Sequence, residues 1–301
     1  MKQLSVGLSD FKTVRGNDLY YIDRSLFIEK ILGKNRNGVY LFTGPHRFGK
    51  SLNLSMFDAF LNIRYKGNTW FDGLEISEHS EFDRYRNAFP VIYLNFRSEV
   101  RNYDGFLRAF NEKIREIFGE FLYILDSPKL TERDKRIFTD LYNGLGSEGD
   151  LQYALKNLTA LLRDYHDVGV VVLIDDYDCV MNKILSKSDC RKIAMFLDEA
   201  FLSLFKGNRS LQLGIVIGTE FIENIFCETN NITLNDIFES EFSGMFGFTE
   251  EDVKQICADC NHPEKFGEVM DYYDGYRFGD TDIYNPSSIL NYVQRTEFLS
   301  K

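Results

Sequence analysis

Apolar and polar positions follow two different periodicities along the chain. Short apolar runs rich in β-branched and aromatic residues are typical of strands buried on both faces of a sheet. Such runs lie at residues 38–43, 89–96, 168–175 and 211–219. Between them, longer segments repeat apolar residues at helical spacing. These segments are residues 24–32, 51–63, 103–125, 130–145, 151–166 and 189–205. The alternation predicts an α/β fold with a doubly wound parallel sheet.

The C-terminal part of the chain has a different pattern. After residue 246 no strong strand signal appears, and an amphipathic segment begins at "TEEDVKQIC". We therefore divide the chain into residues 1–245, a core with an N-terminal lead-in, and residues 246–301, a small region expected to be helical.

Composition and charge narrow the class of protein. The net charge of −11 argues against a broad nucleic-acid surface, because phosphate backbones need Lys and Arg for compensation. A local basic groove is compatible with this charge. No apolar run reaches the length of about 18 residues that spans a membrane, and the N-terminus lacks a signal-peptide pattern. Five cysteines, an odd number, favour reduced thiols, so we expect a cytoplasmic protein.

One pair of cysteines has the spacing of a metal motif. Cys257 and Cys260 form a single C-x-x-C, followed by His262. Structural zinc usually needs a second pair, so two thiols at the end of a helix are the simpler interpretation.

The segment after the first predicted strand carries the clearest chemical motif. It matches G-x-x-x-x-G-K-[ST] at each fixed position. Glycines allow a sharp turn and close approach of the backbone to phosphate, while the loop amides and the next helix's N-terminus point at the anion. The lysine supplies a charge to the β- and γ-phosphates, and the serine a hydroxyl to Mg²⁺. The candidate nucleotide-binding residues are Gly44, Pro45, His46, Arg47, Phe48, Gly49, Lys50, Ser51 and Leu52. At His46 and Arg47, contact with phosphate and simple solvation fit equally.

Two aspartates end the third predicted strand. In open α/β sheets, ligands bind at the carboxyl edge of the strands. Asp175 is therefore assigned with Ser51 to the Mg²⁺ site, as in a Walker B strand. Asp176 follows at a position often held by a water-polarising Glu, and its shorter side chain predicts slow or absent hydrolysis. Asp178 fits a structural or a functional role.

The fourth predicted strand ends at Thr219. That residue is a candidate for contact with the attacking water or the γ-phosphate, although a threonine at a strand end is also an ordinary structural feature.

Together these motifs point to one family. The sequence resembles the AAA-ATPase-like proteins of bacteria and archaea, which commonly carry a PD-(D/E)XK nuclease-like domain after the ATPase part. The blocks that carry the resemblance are "VGLSDFKTVRGNDLYYIDRSLFIEKIL", "RFGKSLNLSMFDAFL", "VVVLIDDYD", "FGFTEEDV" and "YYDGYRFGDTDIYNPSSILNYV". The resemblance implies a P-loop NTPase fold of the AAA/STAND type, with a small C-terminal helical lid.

The resemblance also implies roles for particular residues. It places Phe11, Arg15 and Tyr21 near the adenine, and it makes Arg277 a sensor-like arginine that reaches the phosphates. An Asp-paired or surface arginine in a Gly-rich turn is the other interpretation of Arg277.

This chain departs from the family pattern in three respects. Asp176 stands where the family usually has Glu. The family's basic pattern after the fourth strand is missing, since no Arg or Lys lies between Thr219 and Asn231. The nuclease-like domain is expected to be absent.

We expect the protein to bind ATP or ADP with Mg²⁺ and to act as a slow ATPase or a nucleotide-dependent switch. Two alternatives stay open: a non-hydrolysing scaffold that binds a protein partner or itself, and the ATPase part of a DNA-processing or defence system.

Overall fold

The computed structural model describes residues 2–35, 37–229, 231–237, 239–242, 244–272, 275–278 and 281–299. Within these residues the main sheet consists of β1 (Val39–Thr43), β2 (Val91–Asn95), β3 (Val170–Asp175), β4 (Leu211–Gly218) and β5 (Ile232–Asp236). All neighbouring pairs are parallel, in the order β2-β3-β4-β1-β5. The four predicted strands are confirmed. The fifth strand, β5, was not predicted.

The helices also follow the predicted periodicity. They are α1 (Phe11–Gly16), α2 (Leu26–Asn35), α3 (Lys50–Leu61), α4 (Tyr103–Gly119), α5 (Glu132–Tyr142), α6 (Glu148–His166), α7 (Lys187–Phe205), α8 (Glu250–Asp259), α9 (Lys265–Tyr272) and α10 (Pro286–Leu299). The helix predicted over residues 103–125 is shorter than expected, because α4 ends at Gly119 and a 3₁₀ turn (Leu122–Asp126) follows.

The sheet is covered on both faces, which confirms its doubly wound arrangement. Alternate residues of β1 enter different hydrophobic clusters: Leu41 packs with residues of α4 to α7, and Phe42 with residues of α2 and α3. This separation follows from the two-residue period of a strand, which sends successive side chains to opposite faces. The structure is a mixed α/β fold with a parallel five-stranded sheet, consistent with a P-loop NTPase-like fold.

The C-terminal region is not purely helical. Besides α8, α9 and α10 it contains an antiparallel pair, β6 (Tyr276–Phe278) and β7 (Thr281–Ile283). This short strand pair was not predicted, since the sequence shows no strong strand signal after residue 246. Three-residue strands are too short to produce a readable period of two.

The two ends of the chain share a third hydrophobic cluster. It joins Leu4 and Tyr20 of the lead-in to Phe248, Val253 and Tyr284 of the C-terminal region. The boundary placed at residues 245 and 246 stays a prediction.

The C-x-x-C cysteines also lie in this third cluster. Cys257 and Cys260 are both buried there, at the end of α8. Among the described residues, no set of three or more His, Cys, Asp or Glu side chains is placed to hold a metal ion. In the same part of the chain, no helix has the length and apolarity needed to cross a membrane.

Candidate functional site

The glycine-rich loop, residues 44–51, joins β1 to α3 and turns back over the first turn of that helix. Gly49 has a φ of +82°, which only glycine adopts without strain. A Cβ atom on Gly44 would lie 2.4 Å from the Ile237 side chain, just beyond β5, so the chain approaches too closely there for a larger residue. Both fixed glycines of the motif thus have a structural cause in this fold.

Lys50 holds the loop in its curved shape. Its ammonium Nζ donates to the carbonyl oxygens of Gly44 at 2.5 Å and Pro45 at 2.6 Å, and the residue is 6% exposed. Burial lowers the pKa of Lys50, while the carboxylates of Asp176, Asp178 and Asp175 oppose this shift. The charge is therefore held at the carboxyl edge of the sheet, close to three acidic groups.

Ser51 and Asp175 meet across the sheet edge. The Ser51 hydroxyl donates to Asp175 Oδ1 at 3.0 Å. Ser51 follows β1 and Asp175 ends β3, so this contact spans the intervening strand β4. The other oxygen, Oδ2, accepts from Asn95 Nδ2 at 2.9 Å and from the Tyr93 hydroxyl at 3.4 Å. Burial raises the pKa of Asp175 to about 6, and the neighbouring Asp176 carboxylate adds to the rise. The structure thus brings together the two residues assigned to Mg²⁺, and two residues of β2 that sequence reasoning missed contact the same carboxylate. Their role as metal ligands stays a prediction.

Asp176 does not point freely into the site. Its backbone is left-handed, with a φ of +52°, and its carboxylate forms an ion pair with Arg97 Nε. Asp176 is 6% exposed, whereas the Arg97 side chain is 64% exposed. Sequence reasoning missed Arg97, which follows β2 in the stretch "YLNFRS".

Asp178 has a structural role. Its Oδ2 accepts from the backbone amides of Thr219 at 2.8 Å and Glu220 at 2.9 Å. These bonds fix the end of β4, so the structure shows a structural pairing for Asp178. Thr219 Oγ1 lies 3.5 Å from His46 Nε2, which places this strand end beside the glycine-rich loop.

A cavity of about 710 Å³ opens beside the loop. Its walls come from the lead-in, the loop with the start of α3, the C-terminal region, and two residues at the carboxyl edge of the sheet, Arg97 and Asp176. Of the candidate residues, the following line it: His46, Arg47, Phe48, Gly49, Lys50, Ser51, Leu52 and Asp176. Gly44, Pro45 and Thr219 do not line it, and Asp175 lies behind Ser51 at 2% exposure. The volume is in the range of small-molecule and cofactor sites.

The residues implied by resemblance fall in different places. Tyr21 lines the cavity. Phe11 is fully buried against Tyr21 and Phe71, and Arg15 donates to the carbonyls of Trp70 and Asp72, so neither faces the cavity. The Arg277 backbone lies in β6, but its side chain is outside the described residues, and its role stays a prediction.

Arg24 joins two walls of the cavity and was also missed. Its guanidinium pairs with Asp252 of α8 and donates to the Gly247 carbonyl at 3.2 Å. Asp252 is itself the acidic member of the capping box that begins α8. The lead-in and the C-terminal region are thus held together by a largely buried ion pair beside the ligand space.

Arg24→Gln is expected to lower the free energy of unfolding by about 1–3 kcal/mol, because it leaves the largely buried Asp252 carboxylate without its cation. Chemical denaturation checks this, with the exposed Arg101→Gln as the matched control. An unchanged midpoint for Arg24→Gln would mean that the pair contributes nothing to stability.

The site therefore combines a glycine-rich strand-to-helix loop, a buried lysine and a serine–aspartate pair at one sheet edge. This is the arrangement of a protein that binds phosphate groups. The chain belongs to the AAA-ATPase-like family: the family described as "Predicted AAA-ATPase" matches residues 5–225.

The chain is also similar to a curated protein at low sequence identity. A protein of Azotobacter chroococcum mcd 1, described as "Uncharacterized protein in vnfD 5'region", is 24% identical over 307 aligned residues. The alignment covers 99% of this chain and 53% of that protein, so the chain spans about half the length of its relative.

Proposed function

We propose that the chain binds a nucleoside triphosphate or diphosphate with Mg²⁺ in the 710 Å³ cavity. The observation that carries this proposal is the hydrogen bond from Ser51 to Asp175 at the inner end of the cavity. Ser51 is the residue that follows Lys50 in the glycine-rich loop, so the lysine and the serine–aspartate pair lie together. The loop supplies amides and the lysine supplies positive charge for the phosphates. The order of the strands, with β4 between β1 and β3, supports a P-loop ATPase of the AAA/STAND type with Walker A and Walker B elements.

The charges that line the cavity favour an anionic ligand. Among the described residues, Arg24, Arg47, Lys50 and Arg97 line the cavity together with one carboxylate, Asp176, while the charge of Arg24 is offset by its ion pair with Asp252. Apolar side chains at the other walls, including Leu8, Phe248 and Leu290, provide a surface against which a base can pack.

The residues at the inner end fit Mg²⁺. Ser51 and Asp175 offer hard oxygen ligands, and Mg²⁺ is usually bound by one or two protein groups, with phosphate oxygens and water completing its shell. The cation would neutralise charge on the phosphates. Asn95 orients the Asp175 carboxylate so that Oδ1 faces Ser51.

For the outcome of binding we propose a slow ATPase or a nucleotide-dependent switch. The pairing of Asp176 with Arg97 favours slow chemistry, because a carboxylate engaged by a guanidinium is a weaker base toward water. The same observation supports the second candidate, a protein that binds nucleotide without hydrolysing it. A phosphate-release assay separates the two.

The test of binding is the thermal midpoint of the wild-type protein with millimolar Mg-ATP or Mg-ADP. A ligand at 100 times its dissociation constant adds about 2.7 kcal/mol to the free energy of unfolding. For a chain of this size we expect a rise of roughly 5 °C. Inorganic phosphate at the same ionic strength is the control. No rise with either nucleotide would refute the proposal.

A further inference from the structure

Arg97 is the cation of the cavity that comes from β2, and it stands next to the candidate Mg²⁺ site. Since β2 lies beside β3 in the sheet, the residue after β2 reaches the residue after β3, and Arg97 pairs with Asp176. Burial lowers the pKa of Lys50, and the Arg97 guanidinium adds a smaller contribution in the same direction. Two cations, Arg97 and Lys50, thus share the inner end of one cavity.

The two cations differ in how they are held. Lys50 is buried and bound to two loop carbonyls, whereas the Arg97 side chain is largely exposed and pairs with the Asp176 carboxylate. A guanidinium on a long, exposed side chain can change partners without moving the backbone. Its present partner, Asp176, is nearly buried and has its backbone held in an unusual conformation.

The charges around the cavity favour a change of partner for Arg97 from Asp176 to a bound phosphate. The carboxylates of Asp176, Asp178 and Asp175 already oppose the fall that burial causes in the pKa of Lys50, so each phosphate added to a bound ligand brings negative charge toward three carboxylates. A phosphate that reaches the Arg97 guanidinium offers it a bidentate partner with more charge than a carboxylate. The segment after β4, where a further cation was expected, contains no Arg or Lys from residue 220 to residue 230.

We propose that Arg97 is the sensor of the third phosphate. With a diphosphate bound, Arg97 stays on Asp176; with a triphosphate bound, Arg97 moves to the terminal phosphate and releases Asp176. The inference rests on the proposed function. Because binding and pairing are linked, whatever strengthens the pair of Arg97 with Asp176 weakens triphosphate binding by the same factor.

The experiment is isothermal titration calorimetry with two probes, Mg-ADP and the Mg²⁺ complex of the β,γ-imido analogue of ATP. The proteins are wild type, Arg97→Gln, Asp176→Asn and the double variant. Asparagine is chosen at position 176 because it tolerates the left-handed conformation. Arg101→Gln is the matched control, since Arg101 is an exposed arginine of the same segment that does not line the cavity.

Arg97→Gln is expected to lower the affinity for the triphosphate analogue about 10- to 100-fold and to change the affinity for ADP by less than about threefold. Asp176→Asn is expected to raise the ratio of triphosphate to diphosphate affinity in the wild-type background, because it removes the competitor for Arg97. In the Arg97→Gln background the same substitution is expected to leave the ratio unchanged. The Arg97→Lys variant keeps the positive charge but cannot donate two parallel hydrogen bonds to a phosphate, and it is expected to give an intermediate ratio of triphosphate to diphosphate affinity.

Two results overturn the inference while leaving the proposed function intact. One is an equal loss of affinity for both ligands in Arg97→Gln, which would show that Arg97 contacts any bound phosphate. The other is an equal rise of the ratio on Asp176→Asn in both backgrounds, which would reflect simple removal of negative charge. If neither ligand binds the wild-type protein, the proposed function fails and this inference fails with it.

Discussion

Lys50→Ala is expected to abolish the rise in thermal midpoint that Mg-ATP and Mg-ADP produce in the wild-type protein. The ammonium is buried in the loop and charged groups make the strongest hydrogen bonds to phosphate. Without this ammonium, the phosphates of the nucleotide lose a buried cationic partner, so we expect the nucleotide affinity to fall about 100-fold or more. At the same nucleotide concentration the stabilisation then falls from about 2.7 kcal/mol to below about 0.5 kcal/mol.

Lys50→Met separates charge from packing in this prediction. Methionine fills a similar volume but cannot donate to Gly44 and Pro45, and it carries no charge. Both variants are expected to lose the nucleotide response, while Lys66→Ala, at an exposed lysine that does not line the cavity, keeps it. A full response in Lys50→Met would show that phosphate is bound without this lysine, and the assignment of the loop would be wrong.

The parts of the fold that could be predicted are those in which local sequence and burial agree. β3 is buried at every position and reads as one continuous apolar run. The glycine-rich loop is recognisable because each fixed residue has its own chemical role. By contrast, β5 has exposed residues at Thr233 and Leu234 and lies at the edge of the sheet, so its apolar pattern is weak.

The parts of the site that could not be predicted depend on the order of strands in space. Arg97 and Asn95 follow or end β2, and nothing local in the sequence places β2 beside β3. Arg24 reaches Asp252 over a separation of 228 residues. Charged residues directly after apolar strands are the signal that would have found Arg97, because in a parallel sheet those positions converge on one edge.

Asp175→Asn is expected to have two opposite effects, on ligand binding and on the stability of the ligand-free protein. It removes the charged oxygen proposed for Mg²⁺, so the affinity for Mg-ATP should fall about 100-fold and lose its dependence on Mg²⁺. Without ligand, the same change replaces a buried carboxylate by a neutral amide. Its carbonyl can accept from Asn95 and its NH₂ can donate to the Ser51 hydroxyl.

The pH dependence of the stability effect follows from the raised pKa of Asp175. The folded pKa of about 6 lies above the ordinary value of 3.8, so between these values the folded state binds more protons than the unfolded state. The free energy of unfolding contributed by this group therefore falls as pH rises through this window. The cost to stability of burying the charged Asp175 carboxylate is complete above pH 6 and absent below pH 3.8. Since one pKa unit corresponds to about 1.4 kcal/mol, Asp175→Asn should stabilise the ligand-free protein by about 1–3 kcal/mol at pH 7.

Chemical denaturation at pH 7 and pH 4, with and without Mg-ATP, tests both effects in one series. The advantage of Asp175→Asn over wild type should shrink toward zero at pH 4, because the wild-type carboxyl is then largely protonated. Asp164→Asn, at an exposed position on α6, should show neither effect. A ligand-free variant less stable than wild type at pH 7 would mean that the hydrogen bonds to Asp175 outweigh the cost of burying its charge. Unchanged Mg-ATP affinity would remove Asp175 from the metal site, because a carboxylate that binds Mg²⁺ cannot be replaced by a neutral amide without loss of affinity.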